Sequence, residues 1–166
     1  KPIIKFVHDQ GAKIGIQLAH AGRKGSTMLP WDDHEIAAQN EGGWTTISAS
    51  AVSYKDFPVP KQMSVEEIQT LANKFVEAST RAVKAGFDVI ELHAAHGYLF
   101  HQFLSPITNQ RQDAYGGSFE NRIRFLVETS ELVRVAIGSE IPLFVRISAT
   151  DWVEGGWDTE QSIRLC

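Results

Sequence analysis

"ELHAAHGYLFHQFLSP", from Glu91 to Pro106, is the stretch on which the reading of this chain turns. It sets His93, His96 and His101 within nine residues, directly after the apolar run "FDVIEL" (Phe87 to Leu92). That run has strand character, so His93 and His96 fall at the C-terminal end of a strand. Three uses compete for such histidines: ligating a metal, filling a core, or holding the anionic oxygen of a substrate. A zinc site wants a further His, Asp, Glu or Cys at suitable spacing. Glu91 shares a strand face with His93, yet no HEXXH pattern is present and His101 lies another turn away. No metal is therefore expected, and His101 reads as structural or peripheral.

Upstream, "SVEEIQTLANKFVEASTRAVKAG" predicts the clearest helix. Ser64 and Glu67 have the spacing of a capping box, which satisfies free backbone N–H groups. Ile68, Leu71, Ala72, Phe75, Val76, Ser79, Ala82 and Val83 recur at helical spacing as one buried face, and Gly86 ends the helix. Before it, "KIGIQLAH" (Lys13 to His20) reads as a short buried strand. The stretch from Ala21 to Met63 is rich in Gly, Pro, Ser and Asp, with one candidate strand in "WTTISAS". A loop that long is usually functional.

Downstream, "YLFHQFL" predicts a short helix and "SPITNQRQDAYGG" a loop. A second long helix begins near Ser118, buries Ile123, Leu126, Val127, Ser130 and Val133, and ends at Gly138. "LFVRIS" (Leu143 to Ser148) is the next strand, and a loop then leads into a last helix. The opening residues read as the tail of a helix running to Gly11. Both ends read as cut, so the chain is taken as a piece of a larger domain.

The order is strand, helix, strand, helix, strand, helix, an α/β pattern. The runs at Phe87 and Leu143 are nearly unbroken apolar stretches, as expected of a parallel sheet covered on both faces. A doubly wound sheet would show a glycine-rich turn after its first strand, and "HAGRKG" has the wrong glycine spacing. A (β/α)₈ TIM barrel gathers its reactive residues at the C-terminal ends of several strands. Here Gln17 and His20 end the first strand, His93 and His96 the second, and Arg146 lies in the third. A full barrel needs about 250 residues, so residues 1–166 would supply about three central β-α units, with no second domain.

Composition bounds the partners. Hydrophobic residues make up 43% and charged residues 22%, which is ordinary for a globular protein. The formal net charge of -4 offers no basic field for nucleic acid. No run of about 18 apolar residues exists to span a membrane, and the N-terminus is no signal peptide. A single cysteine, Cys166, excludes a disulfide within the chain and fits a reducing, cytoplasmic compartment.

The residues at the strand ends suggest chemistry. Paired imidazole N–H groups, even when neutral, can stabilise charge growing on a carbonyl oxygen. Tyr98 brings a phenol, suited to giving a proton to an enolate carbon. Gln17 lies in an apolar run, where an unpaired amide would cost about 1–3 kcal/mol. It is expected to meet either neighbouring backbone or the uracil-like edge of a flavin. Arg146, expected to be buried, demands an anion: Glu91, Asp151 or a reduced flavin. Arg23 and Lys24 would meet phosphate, substrate or water. Arg122, early in a helix, is expected to pair with the preceding loop through Asp113.

"GIQLAHAGRKG", "ELHAAHGYLFHQFLSPITNQRQDAYGGSFENRIRF" and "VRIS", in this order and spacing, resemble the old yellow enzyme family of FMN-dependent ene-reductases. The bacterial-type, YqjM-like branch of NADPH dehydrogenases is the most similar. The resemblance implies a (β/α)₈ barrel with FMN at its C-terminal mouth, reduced by NADPH (or NADH). An enone-type small molecule would then bind over the same flavin face. It implies that Gln17 holds the flavin pyrimidine and that Arg146 lies near N1 and O2. His93 and His96 would bind the substrate carbonyl oxygen, and Tyr98 would protonate Cα after hydride reaches Cβ. Lys24 would lie near flavin, nucleotide and substrate. The family's opening strands and its last, phosphate-binding strands are not in this chain, so the 166 residues alone are expected not to bind FMN tightly. A homo-oligomer is left open. The alternatives are a truncated, non-catalytic barrel segment, a metal hydrolase on a similar barrel, and a dienoyl-thioester reductase, which would need a downstream cysteine cluster.

Overall fold

A computed structural model describes residues 1–32 and 35–166. Helix α1 (Pro2–Asp9) precedes β1 (Gly15–Leu18). The long excursion that follows holds two 3-10 turns and a two-stranded parallel sheet, β2 (Ile47–Ser48) with β3 (Lys61–Gln62). The strand expected in "WTTISAS" is thus cut to two residues. Helix α2 (Val65–Ala85) starts at the expected capping box. Ser64 Oγ accepts the Glu67 N–H at 3.1 Å, and Glu67 accepts the Ser64 N–H at 2.8 Å. It stops at Gly86, whose φ of 103° is a left-handed conformation that a side chain would resist.

β4 (Val89–Ala94), the short α3 (Leu99–Leu104), α4 (Phe119–Ile137), β5 (Leu143–Ile147) and α5 (Thr159–Leu165) complete the order. β1, β4 and β5 form one parallel sheet with β4 in the centre. The register pairs Gln17 with Glu91 and His93 with Arg146. Helices α2 and α4 cross over between these strands and pack on each other, and Phe75 and Ala72 of one share a buried cluster with Phe125 and Val133 of the other. All six residues of α3 are buried. Phe100 and Phe103 lie 4.6 and 4.9 Å from the Phe125 ring, and Phe100 lies 4.8 Å from Phe75. Each such ring contributes about 1.5–3 kcal/mol by leaving water. The cluster roots the segment that follows β4, and so fixes the platform from which its turn projects.

The sheet corrects one expectation. Only β4 is buried along its length. Phe144 and Val145 of β5 are 56% and 41% exposed, and Gln17 and Arg146 are exposed as well. The apolar run at Leu143 was read as covered on both faces. Burial, however, also needs a neighbour on each side, and β1 and β5 hydrogen-bond on one side only. Among the described residues no helix is long and apolar enough to cross a membrane.

Candidate active site

The C-terminal ends of β1, β4 and β5 converge on one turn, Ala95 to Tyr98. His96 and Gly97 both adopt left-handed backbone, with φ of 59° and 68°. For a histidine this costs about 1–2 kcal/mol. The surrounding bonds more than offset it. Ser148 Oγ, just past β5, accepts the His96 N–H at 2.9 Å. Lys24 Nζ, beyond β1, donates to the His96 carbonyl at 2.8 Å. A neutral bond contributes about 1 kcal/mol net, and one from a charged donor about 1.5–3. A Cβ on Gly97 would stand 3.1 Å from Lys24 Nζ, so glycine leaves that lysine room to reach over the turn.

A second set of bonds holds the turn from beneath. The Gly97 N–H donates to His101 Nδ1 at 2.8 Å. That acceptor role places the ring proton on Nε2, which donates to Asp151 Oδ1 at 2.8 Å. Asp151 also accepts from Ser105 Oγ at 2.6 Å and from the Trp157 N–H at 2.8 Å. Burial raises the Asp151 pKa, but bonds from His101, Ser105 and Trp157 outweigh it and hold the carboxyl below its ordinary value.

Above the turn lies an open cavity of about 540 Å³. Gln17, Lys24, His93, His96, Tyr98 and Arg146 all line it. The His93 and His96 ring centroids are 5.1 Å apart, with an interplanar angle of 51°. The Tyr98 ring meets His93 edge-on at 5.1 Å. His93 is 5% exposed, and its Nδ1 is buried without a hydrogen-bond partner among the described residues. Burial first, then the positive charges of His96 and Arg146, push the His93 pKa down, so the ring is neutral near pH 7. No partner meets the Tyr98 hydroxyl among the described residues. Unspent donors at the end of a central parallel strand are the arrangement expected of a binding site.

The NADH:flavin oxidoreductase / NADH oxidase family description matches residues 1–164. The chain belongs to that family. It is 49% identical over 180 aligned residues to an NADH:flavin oxidoreductase of Gibberella zeae, covering 99% of this chain and 44% of that protein. It is 48% identical to an NADPH dehydrogenase of Bacillus velezensis, covering 95% of this chain and 42% of that one. It superposes on the old yellow enzyme homologue of Zymomonas mobilis with a TM-score of 0.78 and 34% identity, covering 97% of this chain and 44% of that chain. The chain thus spans less than half the length of the relatives it matches. Its three-stranded sheet is a portion of the (β/α)₈ barrel that the family shares.

Several expectations about single side chains need correcting. Gln17 is not a buried amide; its Nε2 donates to Glu91 across the sheet, and its own Oε1 has no partner among the described residues. Arg146 is not buried either, so burial does not compel an anion beside it. Neither proposed carboxylate pairs with it: Glu91 serves Gln17, and Asp151 serves His101. Arg23 is half-buried, and its Nη1 donates to the carbonyls of Val52 and Ser53 at 3.0 and 2.8 Å, so water is not its partner. Asp113 pairs with Arg111, while Arg122 binds the carbonyls of Leu104 and Gly117. The helix-start guanidinium thus serves backbone, because α3 ends directly beneath it. His20 turns away from the cavity and accepts the Gly22 N–H through Nδ1.

Sequence reasoning missed Ser148 and Tyr54, and offered Asp151 only as a partner for Arg146, where the structure gives it to His101. Ser148 and Asp151 follow Arg146 closely, and their position just past a strand end was the available signal. Tyr54 lies in the long excursion, where no periodicity marks it.

Proposed function

We propose that this chain carries the substrate-facing part of an FMN-dependent oxidoreductase. The enzyme uses NADPH or NADH to reduce activated C=C bonds of α,β-unsaturated carbonyl compounds. One observation carries the reading: two adjacent imidazoles, a phenol and a guanidinium line one cavity with no side-chain hydrogen bond among the described residues, beside an amide whose oxygen is unspent. The names of the relatives supply the flavin and the nicotinamide nucleotide.

The donor set fits a flavin. Gln17 Oε1 is free to accept from the pyrimidine N–H. Arg146 brings positive charge for the N1 and O2 edge, and no carboxylate among the described residues competes for it. When bound, FMN supplies two-electron hydride chemistry. The chain's own part is recognition and proton transfer. His93, neutral, and His96 each donate an N–H to the substrate carbonyl oxygen. Such donors contribute about 2.7–4 kcal/mol apiece where charge grows in the transition state. Tyr98, fixed edge-on to His93, gives its proton at Cα. The substrate is a small molecule, and the single cysteine fits a cytoplasmic setting.

The test is anaerobic photoreduction of the full-length protein followed by titration with cyclohexenone, reading flavin reoxidation. Reoxidation is expected on each addition. Tyr98→Phe should slow it by about 10²–10⁴-fold, the usual contribution of a positioned acid. A photoreduced protein that stays reduced with excess enone would overturn the proposal.

A further inference from the structure

We infer that Lys55, Lys24 and Arg23, gathered around Tyr54, form an anion site at the rim of the active-site cavity that takes a nucleotide phosphate. Three cations share one aromatic ring. Lys24 Nζ lies 4.3 Å, Lys55 Nζ 5.3 Å and Arg23 Cζ 5.8 Å from the Tyr54 centroid. A ring face stabilises an exposed cation by about 0.5–1 kcal/mol, which does not neutralise three like charges. No carboxylate among the described residues pairs with any of them. Glu35 lines the adjoining cavity and Asp56 follows Lys55 in the chain, yet neither reaches an ammonium group.

The three cations differ in freedom. Lys24 is committed to the His96 carbonyl, and Arg23 to those of Val52 and Ser53. Lys55 makes no hydrogen bond or ion pair among the described residues. It is nevertheless held at φ 48°, at a cost of about 1–2 kcal/mol. Strain of this kind at an exposed, unspent side chain gathers at ligand clamps.

Placement decides the class of ligand. Tyr54 and Lys24 line the 540 Å³ cavity and also a second one of about 440 Å³ that shares His96 with it. An anion here sits beside the reacting groups without entering their space. That suits a phosphate on a longer molecule whose other end reaches the cavity. Two sources share this chemistry, the nicotinamide nucleotide reductant and a nucleotide thioester substrate. The inference rests on the proposed function to this extent.

The experiment is calorimetric binding to the full-length, flavin-loaded protein at low salt. Two probes separate the sources: adenosine 2′,5′-bisphosphate for the reductant and adenosine 3′,5′-bisphosphate for a thioester. At least one should bind, be displaced by inorganic pyrophosphate, and weaken as salt rises. Lys55→Gln should loosen it by about two- to fivefold, as loss of one exposed charge contact does. A phosphate-free dihydronicotinamide should bind the parent and the variant alike. Lys61→Gln, which removes an exposed lysine paired with Glu67, is the control and should change nothing. Binding of neither bisphosphate, or equal binding by Lys55→Gln and Lys55→Glu, overturns the inference while flavin reduction by NADPH still stands. A protein that NADPH cannot reduce defeats the functional reading instead and leaves the bisphosphate results legible.

Discussion

Ser148 Oγ accepts the backbone N–H of His96 at 2.9 Å, so the residue just past β5 holds the residue just past β4. Lys24, beyond β1, takes the His96 carbonyl from the other side. The peptide groups flanking this histidine are therefore gripped by both neighbouring strand ends. The angle between the His93 and His96 rings depends on three strands, although both histidines belong to the end of one.

Ser148→Ala removes a bond worth about 1 kcal/mol from a turn that already carries backbone strain. The expected result is a fall of about 3- to 10-fold in kcat/KM for an enone. Ser148→Thr, which keeps the hydroxyl, should restore most of it. Steady-state kinetics of the full-length protein checks this. An alanine variant as fast as the parent would show that the turn stands without the bond.

His93 yields a pH prediction. Its pKa is lowered from 6.5 by burial, then by the charges of His96 and Arg146. The unfolded chain therefore takes up its proton first on acidification. The stability linked to His93 is full above about pH 6.5 and is lost as pH falls through the lower folded-state value. Nuclear magnetic resonance titration should place His93 below 6.5, and Arg146→Gln should move it upward by removing one positive neighbour. A titration at or above 6.5 in the parent would contradict the geometry.

Arg122 is 8% exposed and ties three segments together. Its Nε donates to the Leu104 carbonyl at 2.9 Å, Nη1 to that of Gly117 at 2.8 Å, and Nη2 to Gln161 Oε1. Arg122→Met would leave those acceptors without partners, at a cost of about 2–4 kcal/mol. Chemical denaturation should show that loss, with Arg122→Lys recovering only part of it, since an ammonium cannot reach in three fixed directions.

Much of the fold was legible because its signals are local. The capping box at Ser64, the helical spacing from Ile68 to Val83 and the stops at Gly86 and Gly138 each act within a few residues. The strand ends were legible for the same reason, and with them the candidates His93, His96, Tyr98, Gln17 and Arg146. Burial of β1 and β5 was misread because it depends on what lies beside a strand, which the strand's own residues do not state. Arg122 and Asp113 were paired wrongly because nearness along the chain stood in for nearness in space.

The sequence by itself determined the alternation of strand and helix and the residue types delivered to each strand end. These follow from hydrophobic periodicity and capping, which act over a turn or two of backbone. Only the tertiary structure decided that Ser148, Lys24 and Asp151 bear on the single turn around His96, and that three cations meet at Tyr54. Those contacts join positions far apart in the chain, and their geometry is set by strand register and helix packing, which no local pattern encodes.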